Sequence, residues 1–385
     1  MPRLVPLLLA APWIVGPIVT LIRARFSRSL DEELAEPPHD PPLVSLVIPA
    51  RNEAHNIRRC AESALASSYP RLEVIVVDDH STDGTGAVAS ELAASDPRLR
   101  VITPPALPDG WFGKQWACAA GAAASRGELL GFMDADTWQA PDLVTRVVNA
   151  MRARGSDLLS VAGLQEMGSF WERMLQPQIF AILLQRFGGT ELVNRSRTVS
   201  QKIANGQCIW VRRDAYESLD GHAAVKHEVA EDLALAQLWF RAGRTVTLVL
   251  GLSQLSTRMY TSLRELIDGW GKNIYAGGRK AMPLGALGRA IFPILLVTPG
   301  LLGVAPPIVL ALGLLGVVGS GATTWAAIAT AANVVWWLLV YAWLRLSPVY
   351  ALLHPLGAAM VLYIALGAIV RGRRVRWKER DYQAA

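Results

Sequence analysis

Apolar residues along this chain follow two rhythms. Towards the two ends they form long runs without charge: Leu4–Ile22 holds no Asp, Glu, Lys or Arg, and neither do Ala290–Leu344 and Leu346–Val370. A membrane helix needs about 20 predominantly apolar residues, so these runs predict spans. Pro6, Pro12 and Pro17 make the first an imperfect helix, of a kind that membranes tolerate. Leu284–Gly319 is too long for one ordinary span and carries Pro306–Pro307, so a helical hairpin is expected there. With Trp325–Leu344 and Val349–Val370 that makes four helices in a C-terminal membrane region at 284–370, and five spans with the N-terminal anchor at 1–28; four in all is the alternative, and it would put the basic tail on the opposite side.

Between the ends the apolar runs shorten and alternate with helical patterns. Strands are expected at Leu43–Ile48, Leu72–Val77, Leu99–Thr103 and Leu129–Met133. Helices are expected at Glu53–Ala66, Thr82–Ala94 and Gln115–Ser125. Apolar strands alternating with helices predict an α/β fold, a mostly parallel sheet covered on both faces, whose ligands bind beyond the carboxyl ends of the strands. This catalytic domain is read over 43–257, after an acidic, proline-rich linker at 29–42. Phe170-Trp171, Met174-Leu175 and Ile179-Phe180 recur at helical spacing, as do Leu263, Leu266, Ile267 and Trp270 within a region at 258–283. These are either amphipathic helices on a membrane surface or helices packed against the sheet.

Charge sharpens the membrane reading. Arg23, Arg25 and Arg28 follow the first apolar run, the reverse of a cleaved signal peptide. Arg371, Arg373, Arg374, Arg376, Lys378 and Arg380 follow the last, in a basic tail at 371–385. Positive flanks face the cytoplasm, which places the central domain and the tail there, in the cell (inner) membrane. The net charge of +6 therefore reflects the lipid bilayer as partner, and no nucleic acid. Cys60, Cys118 and Cys208 show no metal spacing and read as free, buried thiols in a reducing compartment.

Polar clusters sit where the strands end: Ala50-Arg51-Asn52-Glu53, Asp78-Asp79 and Asp134-Ala135-Asp136. Asp134 and Asp136 are two apart, so an extended backbone turns both carboxylates to one face, and hard oxygen ligands suit Mg²⁺ or Mn²⁺. Alone, such a pair is better read as a solvated turn; its place at a strand end of this sheet favours the ligand role. Lys114 follows a glycine at a helix start, a place suited to a phosphate. Glu231-Asp232 opens the apparent helix Leu233–Phe240, where acids oppose the helix dipole.

Val-Ile-Pro-Ala-Arg-Asn-Glu (47–53), Val-Val-Asp-Asp-His-Ser-Thr-Asp-Gly-Thr (76–85) and Met-Asp-Ala-Asp-Thr (133–137) together resemble the family 2 glycosyltransferases of GT-A fold, the nucleotide-diphospho-sugar transferase fold. The resemblance covers about Leu43 to Arg279. Gly-Trp-Phe-Gly-Lys-Gln-Trp-Ala (110–117) is similar to the membrane-bound, lipid-modifying subset, which includes hopanoid-associated, carotenoid and ceramide enzymes. The resemblance implies a bacterial, inverting, metal-dependent hexosyltransferase that takes a nucleotide sugar, of UDP type, to a membrane lipid acceptor. It implies that Pro49, Ala50, Arg51, Glu53 and Asp79 hold the donor's nucleoside, with Lys114 and Asp134 also on the donor. Asp136 with Asp134 would bind the metal, and the Glu231–Asp232 pair would supply the base, assigned to Asp232. A Gln-x-x-Arg-Trp motif found in many membrane members is missing. Trp270 and Lys272 stand in roughly its place, and Gln207 is a further acceptor-side or leaving-group candidate. The missing motif disfavours the alternative of a processive polysaccharide synthase, and the retained carboxylates disfavour a non-catalytic scaffold.

Overall fold

The computed structural model describes residues 4–372, and beyond them the backbone of 374–377 and 380–383. From the amino terminus come helix α1 (Val5–Ala24), strand β1 (Val44–Ala50), α2 (Ile57–Leu65), β2 (Leu72–Asp78), α3 (Thr85–Ser95) and β3 (Leu99–Ile102). Next are α4 (Gly113–Ala124), β4 (Leu129–Met133), β5 (Thr137–Gln139), α5 (Leu143–Arg154), β6 (Leu158–Gln165), α6 (Phe170–Phe187) and α7 (Thr190–Arg195). The order continues with β7 (Cys208–Arg212), α8 (Arg213–Ser218), α9 (Glu231–Arg241), β8 (Val246–Thr257) and α10 (Leu263–Lys280). Helices α11 (Gly285–Leu314), α12 (Ser320–Trp343), α13 (Val349–Leu352) and α14 (His354–Arg371) follow, then a short hairpin of β9 (Arg374–Trp377) and β10 (Arg380–Gln383).

These elements divide into two units. One, built from 27–166, 190–259 and 373–385, holds an eight-stranded sheet of order β3-β2-β1-β4-β7-β6-β8-β5. Pairs β1–β2, β2–β3, β1–β4 and β6–β8 are parallel, while β7 runs antiparallel between β4 and β6. The sheet is mixed but mostly parallel, as the alternation of strands and helices predicts. Val44, Leu46, Val47 and Ile48 of β1 are all fully buried, because helices cover both faces. Gly131 in β4 lies under the fully buried Trp210 ring of β7, where a Cβ would come within 2.6 Å. Since β7 is reversed, its first residue, Cys208, pairs with the last residue of β4, Met133. The carboxyl ends of β1, β2, β4 and β6 and the amino end of β7 therefore share one edge.

Residues 29–42, expected as a linker, are held against this unit. Ser29 caps a 3-10 turn at Leu30–Glu32, Leu30 is fully buried, and the Arg146 guanidinium donates to the Leu30 and Glu33 carbonyls. Asn149 and Arg152 add bonds to the Leu34, Glu36 and Asp40 carbonyls, so one buried leucine and a row of side-chain donors fasten an otherwise acidic, exposed segment.

The other unit, 1–26, 167–189 and 260–372, is helical. Four of its helices, α1, α11, α12 and α14, are long and apolar enough to cross a membrane. The hairpin expected at Leu284–Gly319 is not formed: α11 runs unbroken for 30 residues through Pro293, Pro299, Pro306 and Pro307. Four candidate spans thus replace the five expected, among the described residues. At one of these prolines the bared carbonyl finds distant donors. Pro306 has no N–H for the Leu302 oxygen one turn earlier, and that oxygen instead accepts from the Trp13 indole at 2.8 Å and the Asn333 amide at 3.5 Å. The side chains of the basic tail beyond Arg371, including Arg373 and Lys378, lie outside the described residues.

Candidate active site

At the shared edge two loops are stitched together. The Asp79 N–H donates to the Ala50 carbonyl at 2.8 Å, continuing the β1–β2 ladder past Pro49. Arg51 returns a bond to the Asp79 carbonyl at 2.5 Å and lies 3.9 Å from its carboxylate. The Asn52 and Glu53 N–H groups donate to Ser81 Oγ and Thr85 Oγ1 at 2.9 and 2.8 Å. Asn52 and His80 take left-handed backbone, φ 53° and 54°, a conformation costly outside glycine and frequent where side chains are held for function. Glu53 accepts from Asn56 at 2.9 Å, which orients its carboxylate. Pro49, Ala50, Arg51, Glu53 and Asp79 therefore form one rigid wall.

A second cluster gathers residues from four separate segments. Lys114, in the first turn of α4, places its ammonium 2.7 Å from Asp134 Oδ1 and 2.8 Å from Glu231 Oε1, and 3.3 Å from the Gly206 carbonyl. Burial opposes that charge, but the Asp134 and Glu231 carboxylates outweigh it and hold the ammonium well above its ordinary range. For Asp134 burial prevails over Lys114, and its carboxyl is raised. Asp232 lies in the first turn of α9, where the Leu233 and Gly206 N–H groups donate to its two oxygens at 2.7 and 3.0 Å. Burial, then repulsion from Glu231, nevertheless lifts its carboxyl to about 6. Two carboxylates, Asp134 and Glu231, thus share one ammonium, and Asp232 lies beside them. Cys60, Cys118 and Cys208 are free and buried, and burial pushes the Cys208 thiol up to about 12.

Asp134 and Asp136 flank the buried Ala135 and are both partly exposed. The Thr137 and Thr257 hydroxyls lie 3.3 and 3.5 Å from Asp136 Oδ1. Two partly exposed carboxylates are of the hard-oxygen type that suits a divalent cation completing its shell with phosphate and water. No group of three or more His, Cys, Asp or Glu placed to hold a metal occurs among the described residues.

Residues 45–220 match the model for glycosyl transferase family 2. Over those residues, just under half of its length, the chain is similar to the family 2 glycosyltransferases. Among curated relatives, it is 26% identical over 245 residues to the 4,4'-diaponeurosporenoate glycosyltransferase of Staphylococcus haemolyticus, covering 62% of this chain and 63% of that one. It is 28% identical over 251 residues to the protein of the same name from Staphylococcus aureus, covering 63% and 64%. The chain thus spans less than two thirds of the length of these relatives. In fold it is similar to a mannosyltransferase from Pyrobaculum calidifontis solved with GDP-Man and Mn²⁺, at TM-score 0.54 and 19% identity over 96% of this chain and 98% of that one. That likeness establishes a GT-A glycosyltransferase fold.

At this edge the structure brings Lys114, Asp134, Glu231 and Asp232 together, and Gln207 joins them, since its carbonyl accepts from the Asp134 N–H at 3.0 Å. Trp270 and Lys272 belong to the helical unit instead, on α10, where Trp270 is buried with its ring edge-on to Phe180 and Tyr260. Two polar residues at the site escape sequence reasoning, Asn205 and Gln165. Nothing in their spacing marks them: they meet Gln207 because β6 and β7 are neighbours.

Proposed function

We propose that the protein is an inverting hexosyltransferase that moves a sugar from a nucleoside diphosphate donor, of UDP type, onto a lipid acceptor in the membrane. The observation that carries this reading is Lys114, which joins Asp134 on the donor side to Glu231 beside Asp232 within a family 2 domain. The nucleoside lies along the Pro49–Glu53 and Asp79 wall, and the diphosphate meets Lys114. A divalent cation, Mg²⁺ or Mn²⁺, held by Asp134 and Asp136 would add positive charge against the diphosphate. Asp232 takes the proton of the acceptor hydroxyl as its oxygen bonds to the anomeric carbon. The bond from that carbon to the diphosphate breaks on the opposite side, its electron pair leaving with the phosphate, whose charge Lys114 receives. One displacement inverts the anomeric centre.

The lipid acceptor is supported by the candidate spans and by relatives named for glycosylating diaponeurosporenoate. Arg23 and Arg25 at the end of α1, with Arg28, favour a cytoplasmic catalytic unit in the inner membrane.

Because Asp232 must be ionised to act, transfer is expected to climb with pH through about 6 and to be largely lost near pH 5. Its folded value lies above the ordinary 3.8, so its contribution to stability is present below that value and is lost as pH rises through about 6. The pH at which activity reaches half its maximum, read from kcat/KM, checks this, and Glu231→Gln should move it down by removing the repelling charge.

The overall reading is tested by supplying membranes that hold the protein with labelled nucleotide sugars and identifying extracted lipids by mass. A labelled lipid of inverted configuration is the expected product. Label found only in polymer, or only in free sugar, would sink the lipid-acceptor reading.

A further inference from the structure

Gln207 offers a side chain whose hydrogen-bonding sense is fixed before any ligand arrives. The Val161 backbone carbonyl can only accept, and it receives Asn205 Nδ2 at 3.2 Å. The Asn205 amide is thereby oriented, and the same Nδ2 donates to Gln207 Oε1 at 3.0 Å. Gln165 Nε2 donates to that oxygen as well, at 2.9 Å. With two donors on its oxygen, the Gln207 amide must turn its NH₂ the other way. Gln207 is 5% exposed, and among the described residues its Nε2 donates to no protein group.

The lock is kept at a cost. Gln165 spends its NH₂ on Gln207, and its own Oε1 is buried with no hydrogen-bond partner among the described residues. Unsatisfied amide oxygens inside proteins are uncommon and call for an explanation. Holding Gln207 in one orientation supplies it.

Position says what the NH₂ meets. The Gln207 carbonyl accepts from the Asp134 N–H, and the preceding residue, Gly206, contacts both Asp232 and Lys114. A Cβ on Gly206 would stand 3.1 Å from Asp232 Oδ2, so the turn passes the base at close quarters. The reacting sugar must lie between the diphosphate at Lys114 and Asp134 and the base at Asp232, beside this turn. Sugar hydroxyl and ring oxygens carry lone pairs there.

We propose that Gln207 is a specificity-determining residue that donates from its NH₂ to an oxygen of the donor's sugar, with Asn205 and Gln165 as the positioning residues that fix its sense. This rests on the glycosyltransferase reading above. A site built this way rewards an oxygen acceptor at one place on the sugar and penalises sugars without one, which leave a buried donor unpaired.

The test uses the full chain in detergent with Mn²⁺. Binding of UDP-glucose, UDP-N-acetylglucosamine and GDP-mannose is measured by calorimetry, each against its own nucleoside diphosphate. Gln207→Glu keeps an oxygen for both Asn205 and Gln165 but cannot donate, and Gln207→Met removes the polar group without adding charge. For the best-bound sugar, the affinity ratio of nucleotide sugar to nucleoside diphosphate should fall about tenfold in both variants, as expected for one lost hydrogen bond. The nucleoside diphosphate alone should bind each variant well enough to be measured, which also reports a folded site. Unchanged ratios, or variants that no longer bind any nucleoside diphosphate, would overturn the role. A wild-type protein that binds none of these nucleotides sinks the glycosyltransferase reading itself, whereas one that binds diphosphates no more weakly than their sugars sinks only the Gln207 role.

Discussion

Asp232→Asn is expected to reduce transfer about a thousandfold, within the range that positioned general bases contribute. The donor should still bind with nearly its wild-type affinity, because the nucleoside wall at Pro49–Glu53 and Asp79 and the ammonium of Lys114 make no hydrogen bond to Asp232. The asparagine cannot fully imitate the carboxylate. Each oxygen of Asp232 accepts a backbone N–H, from Leu233 and from Gly206, so an amide sets its own NH₂ against one of them. A modest fall in melting temperature is therefore expected beside the kinetic loss. Single-turnover transfer and calorimetric donor binding separate the two effects. If donor affinity dropped as far as the rate, Asp232 would be a donor ligand and the base would lie elsewhere.

The second large effect concerns the cation. Exhaustive chelation should abolish transfer, and Mn²⁺ or Mg²⁺ should restore it. The form of the dependence is more telling than the loss. Asp134 and Asp136 are only two carboxylates, and Asp134 already holds Lys114 at 2.7 Å. The protein alone should therefore bind Mn²⁺ weakly, and a nucleoside diphosphate, by giving Lys114 another anion and adding phosphate oxygens, should tighten it. Linkage requires the metal to tighten the nucleotide by the same factor, and couplings of this kind run from about fivefold to 150-fold. Electron paramagnetic resonance of free Mn²⁺, titrated with and without UDP, measures it directly. Full activity after chelation would remove the metal from the reaction, and tight Mn²⁺ binding without nucleotide would show further ligands.

The first four strands of the sheet, β1 to β4, could be read from the sequence because their signal is local, whereas β5 to β8, including the reversed β7, were not expected. Strand β4 spans Leu129–Met133, as expected, since a strand buried on both faces is a short apolar run with polar ends. Helices α2 and α3 start later than expected, at Ile57 and Thr85. Their first expected turns are spent on the loops where Asn52 and Glu53 bond to Ser81 and Thr85, pairings across about thirty positions of sequence that no periodicity carries. The carboxylates were legible as chemistry, but the Lys114 bridge between Asp134 and Glu231 was not. Its three members come from α4, the end of β4 and α9, and only the folded sheet brings them together. The long apolar helices show the converse: α12 and α14 announce themselves by composition, whereas the bond that meets the Leu302 carbonyl beside Pro306 comes from the distant residue Trp13.

That indole bears on how the protein can be handled. The first helix resembles a removable tether, and trimming it is an obvious route to easier production. Yet it supplies the donor that satisfies the carbonyl bared by Pro306, and its Trp13 ring also sits edge-on to Trp325 of α12, 5.5 Å between centroids. A shortened chain would leave the Leu302 oxygen with the Asn333 amide alone, at 3.5 Å, beside a double proline. The amino-terminal segment is thus a structural part of the helical unit, and co-expressing it as a separate peptide is a better repair for a truncated chain than a substitute leader of equal hydrophobicity.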